Sequence, residues 1–158
     1  MFQVGDKIVH PMHGAGIVDG IVQKKLNGVV REYYILKLPV GGMLVMIPTE
    51  NSEEIGVRPV CRGEEADRIL AAIPEIEVDM TQNWNRRYRE NMLRLKSGDL
   101  LEVARVVKVL MLRDTDRGLS TGERKMLHSA KQILISEIVL SQNASYEDVE
   151  ERINTALA

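Results

Sequence analysis

Asn27-Gly28 lies between two runs rich in β-branched and aromatic residues, Ile17–Lys25 and Val30–Leu38. Both turn residues tolerate the positive φ that a type I′ turn needs, so the pair predicts a tight hairpin with antiparallel strands. Asp6–His10 reads as a strand before it, joined through a turn at Pro11–Gly16. Gly41-Gly42 returns the chain into Met43–Ile47, where Pro48 ends the strand or confines it to a sheet edge. Four or five short antiparallel strands close most economically as a small, strongly twisted half-barrel.

From Glu64 onward the period changes from two to that of a helix. Glu64–Ile73 is a short helix stopped by Pro74, and Thr81–Lys96 a second, stopped at Ser97-Gly98. Asp99 with Glu102, and Ser120 with Glu123, are capping spacings that open helices reaching about Arg113 and Leu140. Ser145–Leu157 is a fifth, with Glu147, Asp148 and Glu150 where the helix dipole favours acids. The expected fold is α+β: a β-unit over residues 1–54, then an all-α unit of about five helices over 60–158. The boundary falls within Thr49–Arg62.

The charge distribution matters more than its sum. The 158 residues carry a net −2, but residues 81–133 hold twelve Lys/Arg against six Asp/Glu, with acidic stretches on both sides. Such a chain can present a local positive surface without strong global attraction to polyanions. Solvated helix faces would give the same count. No apolar run approaches the ~20 residues that span a bilayer, and the opening residues lack a signal-peptide pattern, so a cytoplasmic protein is expected. Cys61 is the only cysteine, which leaves no intrachain disulfide and no cysteine-based zinc site.

Catalysis finds little footing. His10 and His13 flank Pro11 on a turn with no third ligand near in sequence, and His-Gly-Ala-Gly at residues 13–16 matches no phosphate-loop spacing. His128 lies inside a helix with no nucleophile motif around Ser129, and only Arg62 adjoins Cys61 as a possible activator. A non-enzyme without cofactor or metal is expected.

The segment Thr81–Lys96 is more informative, with five basic residues against one acid. Arg86, Arg87 and Arg89 fall within one helical turn and could reach phosphates. Trp84 precedes them between Asn83 and Asn85. Trp84, Tyr88, Met92 and Leu95 share helical spacing, so the indole is either the start of a buried stripe or an exposed ring able to stack on a base or wedge a base step. A second basic group follows at Arg113, Arg117, Arg124, Lys125 and Lys131.

Three stretches in register, Val4–Val18, Asn83–Tyr88 and Asp116–Leu127 with Lys131–Ile135 beyond, resemble the CarD (CdnL) family of bacterial RNA polymerase-binding regulators. The opening is also similar to the polymerase-interacting module of transcription-repair coupling factors, a Tudor-like half-barrel, whereas the helical remainder is not. The resemblance implies docking of the N-terminal sheet on the RNA polymerase β subunit through an exposed strand edge, with Lys24 and Met46 in contact. Met46 departs from relatives that place an arginine there, so a thioether packing contact replaces a polar one. It further implies that Trp84 wedges into the minor groove at the upstream edge of melted promoter DNA, largely without regard to sequence. Arg86, Arg87, Arg89, Arg124 and Lys125 would hold nearby phosphates.

Two other readings stay open. One is a freestanding regulator with a helix-turn-helix inside residues 99–140, which would bind specific duplex DNA, usually as a dimer; the tethered reading expects a monomer. The other is a polymerase-binding adaptor without DNA contact, in which Trp84 belongs to the core.

Overall fold

A computed structural model describes residues 1–39 and 41–158. Strands β1 (Lys7–His10), β2 (Gly14–Leu26), β3 (Val29–Lys37) and β4 (Leu44–Pro48) are followed by a single helical turn, α1 (Ser52–Ile55), and a short strand, β5 (Arg58–Pro59). All pairings are antiparallel and the order is β4-β3-β2-β1-β5. Asn27 and Gly28 both have positive φ, 50° and 80°, as the type I′ hairpin requires. The β1–β2 turn is tighter than Pro11–Gly16, because Gly14–Gly16 already pair with β1. Pro48 closes β4, which forms one edge of the sheet.

One face of the sheet buries Ile8, Val18, Tyr34, Leu36 and Ile47, joined by Val57 and edged by Phe2, whose ring meets Tyr34 edge-on at 5.8 Å. Alternation along β3 explains the choice: Tyr34 and Leu36 point inward while Arg31, Tyr33 and Ile35 point to the other side. Arg58 and Pro59, in the zone left between the two expected units, return to the sheet as β5 against β1.

The helices are α2 (Gly63–Ala72), a 3₁₀ turn at Ile73–Glu75, α3 (Trp84–Lys96), α4 (Leu100–Asp116), α5 (Thr121–Gln142) and α6 (Tyr146–Leu157). The side chains of Asp99, Ser120 and Ser145 cap α4, α5 and α6. Helix α3 begins three residues later than expected. Thr81 is held in a turn by Asp79 Oδ1, which accepts from both its N–H and its hydroxyl, and Asn83 takes the cap by accepting from Arg86 N–H at 2.9 Å. Lys108, counted in the basic segment, is buried and donates to the carbonyls of Ile73, Pro74 and Ile76, so it adds nothing to a positive surface.

Helix α5 is the axis of the helical unit, packing on α2, α3, α4 and α6 and also on β2. Residues 133–138 are all buried, which a helix enclosed on several sides requires. Its contact with the sheet is polar as well as apolar. Val9, Ala15 and Leu140 form a small shared cluster, Ser136 Oγ accepts from Ala15 N–H at 2.9 Å, and Lys7 Nζ donates to Leu140 O at 3.0 Å. Arg58 of β5 makes a two-pronged pair with the fully buried Glu137, at 2.7 and 2.8 Å, and Cys61 N–H donates to the same carboxylate at 2.9 Å. Gly14 has φ +91° and lies so close to α5 that an added Cβ would stand 2.7 Å from Ser136 Oγ.

Candidate nucleic-acid interface

Helix α3 delivers its first residue, Trp84, beside the first turn of α5. The indole is 43% exposed, which settles the stripe in a graded way: Trp84 lies outside, Tyr88 and Met92 are half-buried, and Leu95 is in the core. Its ring stacks on Tyr88 with centroids 5.0 Å apart and planes 18° from parallel. Tyr88 in turn rests on Gly122, where a Cβ would meet the ring at 3.4 Å. The indole N–H donates to Ser120 Oγ at 3.1 Å. An aromatic platform and one hydrogen bond therefore hold a ring whose other surface meets water.

Arg86, Arg89, Arg124 and Lys125 are exposed on the same two helix starts. Arg86 makes an i,i+4 pair with Glu90 at 3.1 Å, and Arg124 Nε donates to Leu119 O at 3.3 Å, contacts that leave guanidinium donors free for another anion. Lys125 lines a groove of about 150 Å³ with Tyr88 and Met92. The α3–α5 contact thus sets Lys125 beside the Trp84–Tyr88 stack, while Arg86, Arg89 and Arg124 are exposed elsewhere on the same two helices.

Arg87 is not among them, contrary to the expectation that it holds a phosphate. It is 5% exposed and forked onto Glu123, with Nε donating to Oε2 at 2.8 Å and Nη2 to Oε1 at 3.3 Å, while Nη1 donates to Gln82 O. Successive helical residues are about 100° apart, so three arginines in one turn cannot all face water. The one aligned with Asn91 and Leu95 faces α5. Burial pushes the Glu123 carboxyl upward, but the bonds and charge of Arg87, with Ser120, outweigh it and hold it below the ordinary glutamate range. The sequence marked Ser120 and Glu123 only as a helix start, and Tyr88 only as core.

The second candidate surface is the outer face of the sheet. Lys24 pairs with Arg31, and Met46 with Ile35; since residues 31, 33 and 35 of β3 share a face, Lys24 and Met46 do too, roughly 13 Å apart along the strands. Between and beside them lie Val22, Tyr33 and Leu44. Met46 is 37% and Leu44 56% exposed, and β4 offers a free edge, so the face can take a strand or an apolar partner.

The remaining reactive groups have structural roles. His10 Nδ1 accepts from Met12 N–H in the β1–β2 turn, and its pKa is lowered by burial and by His13 beside it. The Cys61 thiol is pushed up to about 11 by burial and by Glu137. Among the described residues no three His, Cys, Asp or Glu side chains gather to hold a metal ion, and no helix is long and apolar enough to cross a membrane.

Two family models and a curated relative match the chain. Residues 2–61 match the family model described as the CarD-like/TRCF RID domain, and residues 68–154 match that of the CarD C-terminal domain. The sheet is the Tudor-like half-barrel of the first. The chain is also similar to a Bacillus subtilis (strain 168) protein named "Putative transcription factor YdeB", with 35% identity over 150 residues that cover 95% of this chain and 98% of that one. With both of its units matched in order and a relative aligned over nearly its whole length, the chain belongs to the CarD family of transcription factors.

Proposed function

We propose that the protein docks on the β subunit of RNA polymerase through the outer face and free β4 edge of its sheet, and stabilises the open promoter complex by setting Trp84 against the upstream edge of the melted DNA. The observation that carries this reading is the exposed, platform-backed indole of Trp84, on helices that also expose Arg86, Arg89, Arg124 and Lys125. A flat apolar ring on helices that also carry exposed cations suits a DNA fork, where a base step is already loosened and phosphates flank it.

A factor that binds the opened junction more tightly than the duplex shifts the opening equilibrium by that difference in affinity, tenfold for every ~1.4 kcal/mol. Tethering to polymerase raises the local concentration of the DNA-contacting surface, so four exposed cations can act in a chain whose net charge is −2.

Open-complex lifetime with wild type and with Trp84→Ala tests the reading. The expected result is a shorter lifetime with polymerase binding retained; equal lifetimes would refute it.

A further inference from the structure

The contacts beneath Trp84 close into a ring. On α3, Trp84 donates through its indole N–H to Ser120 Oγ at 3.1 Å. Ser120 Oγ donates its own proton to Glu123 Oε1 at 3.3 Å and accepts from Glu123 N–H at 3.2 Å. The Glu123 carboxylate accepts both prongs of Arg87, which stands three residues beyond Trp84 on the same helix. A hydroxyl has one proton and two lone pairs, and here all three are used. The carboxylate, itself oriented by Arg87, fixes where the hydroxyl proton points. That leaves one lone pair for the helix cap and one for the indole.

We infer that Ser120, oriented by the buried Arg87–Glu123 pair, is a positioning residue that sets the angle of the Trp84 ring. The inference rests on the proposed role of Trp84 in promoter opening and deepens it. An indole rotates about two side-chain torsions, and the Tyr88 stack fixes the ring plane but allows sliding within it. The Ser120 bond removes that freedom at the far end of the ring. A wedge held in one orientation before DNA arrives loses less conformational entropy on binding than a free one. This gives Arg87 a part in the site without touching DNA.

Trp84 is the only tryptophan, so its emission and anisotropy read the ring directly in the full-length protein. Ser120→Ala removes the acceptor, and Ser120→Thr keeps the hydroxyl. Ser145→Ala deletes an equivalent serine cap on α6, far from the indole, and controls for loss of a cap alone. Ser120→Ala is expected to lower Trp84 anisotropy, shift its emission to the red and shorten open-complex lifetime about fivefold, the factor of one net hydrogen bond. Ser120→Thr and Ser145→Ala should match wild type in all three. Unchanged anisotropy and emission in Ser120→Ala would overturn the inference, as would a loosened ring with wild-type lifetime while Trp84→Ala shortens it. If Trp84→Ala itself leaves the lifetime unchanged, the failure lies in the promoter-opening role, and the positioning function falls with it.

Discussion

Arg58→Ala should be among the most destabilising single changes outside the apolar core. Glu137 is fully buried on α5 and its carboxylate has three donors: two from Arg58 and the Cys61 N–H. Removing the guanidinium leaves a buried charge with one hydrogen bond and opens the link between Arg58 Nε and Gly98 O at 2.8 Å. Orphaning one member of a buried pair costs about 3–5 kcal/mol. Because the Arg58 side chain is 31% exposed, water can reach part of the gap and the lower end, about 3 kcal/mol, applies. For a chain of this length that is a fall in melting temperature of roughly 6–12 °C. Urea unfolding followed by circular dichroism gives the free energy directly. The double variant Arg58→Met/Glu137→Leu should recover most of the loss, since no charge is stranded, leaving about 1 kcal/mol for the unpaired Cys61 N–H. A cost below about 1 kcal/mol for Arg58→Ala alone, on the scale set for broken buried pairs, would refute the claim that this pair joins sheet to helices.

Two further outcomes follow from the same geometry. Gly14→Ala meets both a left-handed backbone and Ser136 Oγ at 2.7 Å, so it should cost at least about 2 kcal/mol; Gly5→Ala, with φ +94° and nothing within 4 Å, should show only the ~1–2 kcal/mol of backbone strain, and equal losses would remove the close approach as the cause. In binding to forked promoter DNA by the polymerase complex, alanine at Arg86, Arg89, Arg124 or Lys125 should each lower the salt dependence by about one counterion, the one released when that side chain neutralises a phosphate. Arg87→Ala should destabilise the fold and leave that slope unchanged. A slope change matching the other four would return Arg87 to the DNA surface.

What the sequence disclosed and what it hid divide along physical lines. The hairpin was legible because Asn27-Gly28 is a local conformational requirement, met at φ 50° and 80°. Helix starts at Asp99, Ser120 and Ser145 were legible because a cap is made within three residues. The start of α3 was not, because Thr81 and Asn83 are both capping residue types and the choice turns on Asp79 engaging Thr81. α1 and β5, four and two residues long, are too short to show a period and rest on contacts with distant chain. The burial of Arg87 was hidden since its partner Glu123 lies 36 residues away. Spacing held a signal all the same: counting back from Leu95 by four gives Asn91 and then Arg87, which is the buried row.

Helix α5 explains why these long-range contacts bear on function. Its cap, Ser120, holds the indole of Trp84; Ser136 and Glu137, the latter seventeen residues from that cap, are fastened to β2 and β5. At 1.5 Å per residue the two points are about 25 Å apart along one unbroken helix. Under the proposed function, the sheet docks on polymerase and Trp84 meets DNA, so α5 sets the distance between the two contacts. Tethering raises local concentration only when both ends can engage at once, and it falls away when the geometry is loose. A helix buried along its middle and pinned by a charged pair, a serine and a close glycine is a stiff spacer. Loosening the joint at Gly14 or Arg58 should therefore weaken promoter opening beyond its effect on stability, even with Trp84 and both surfaces intact.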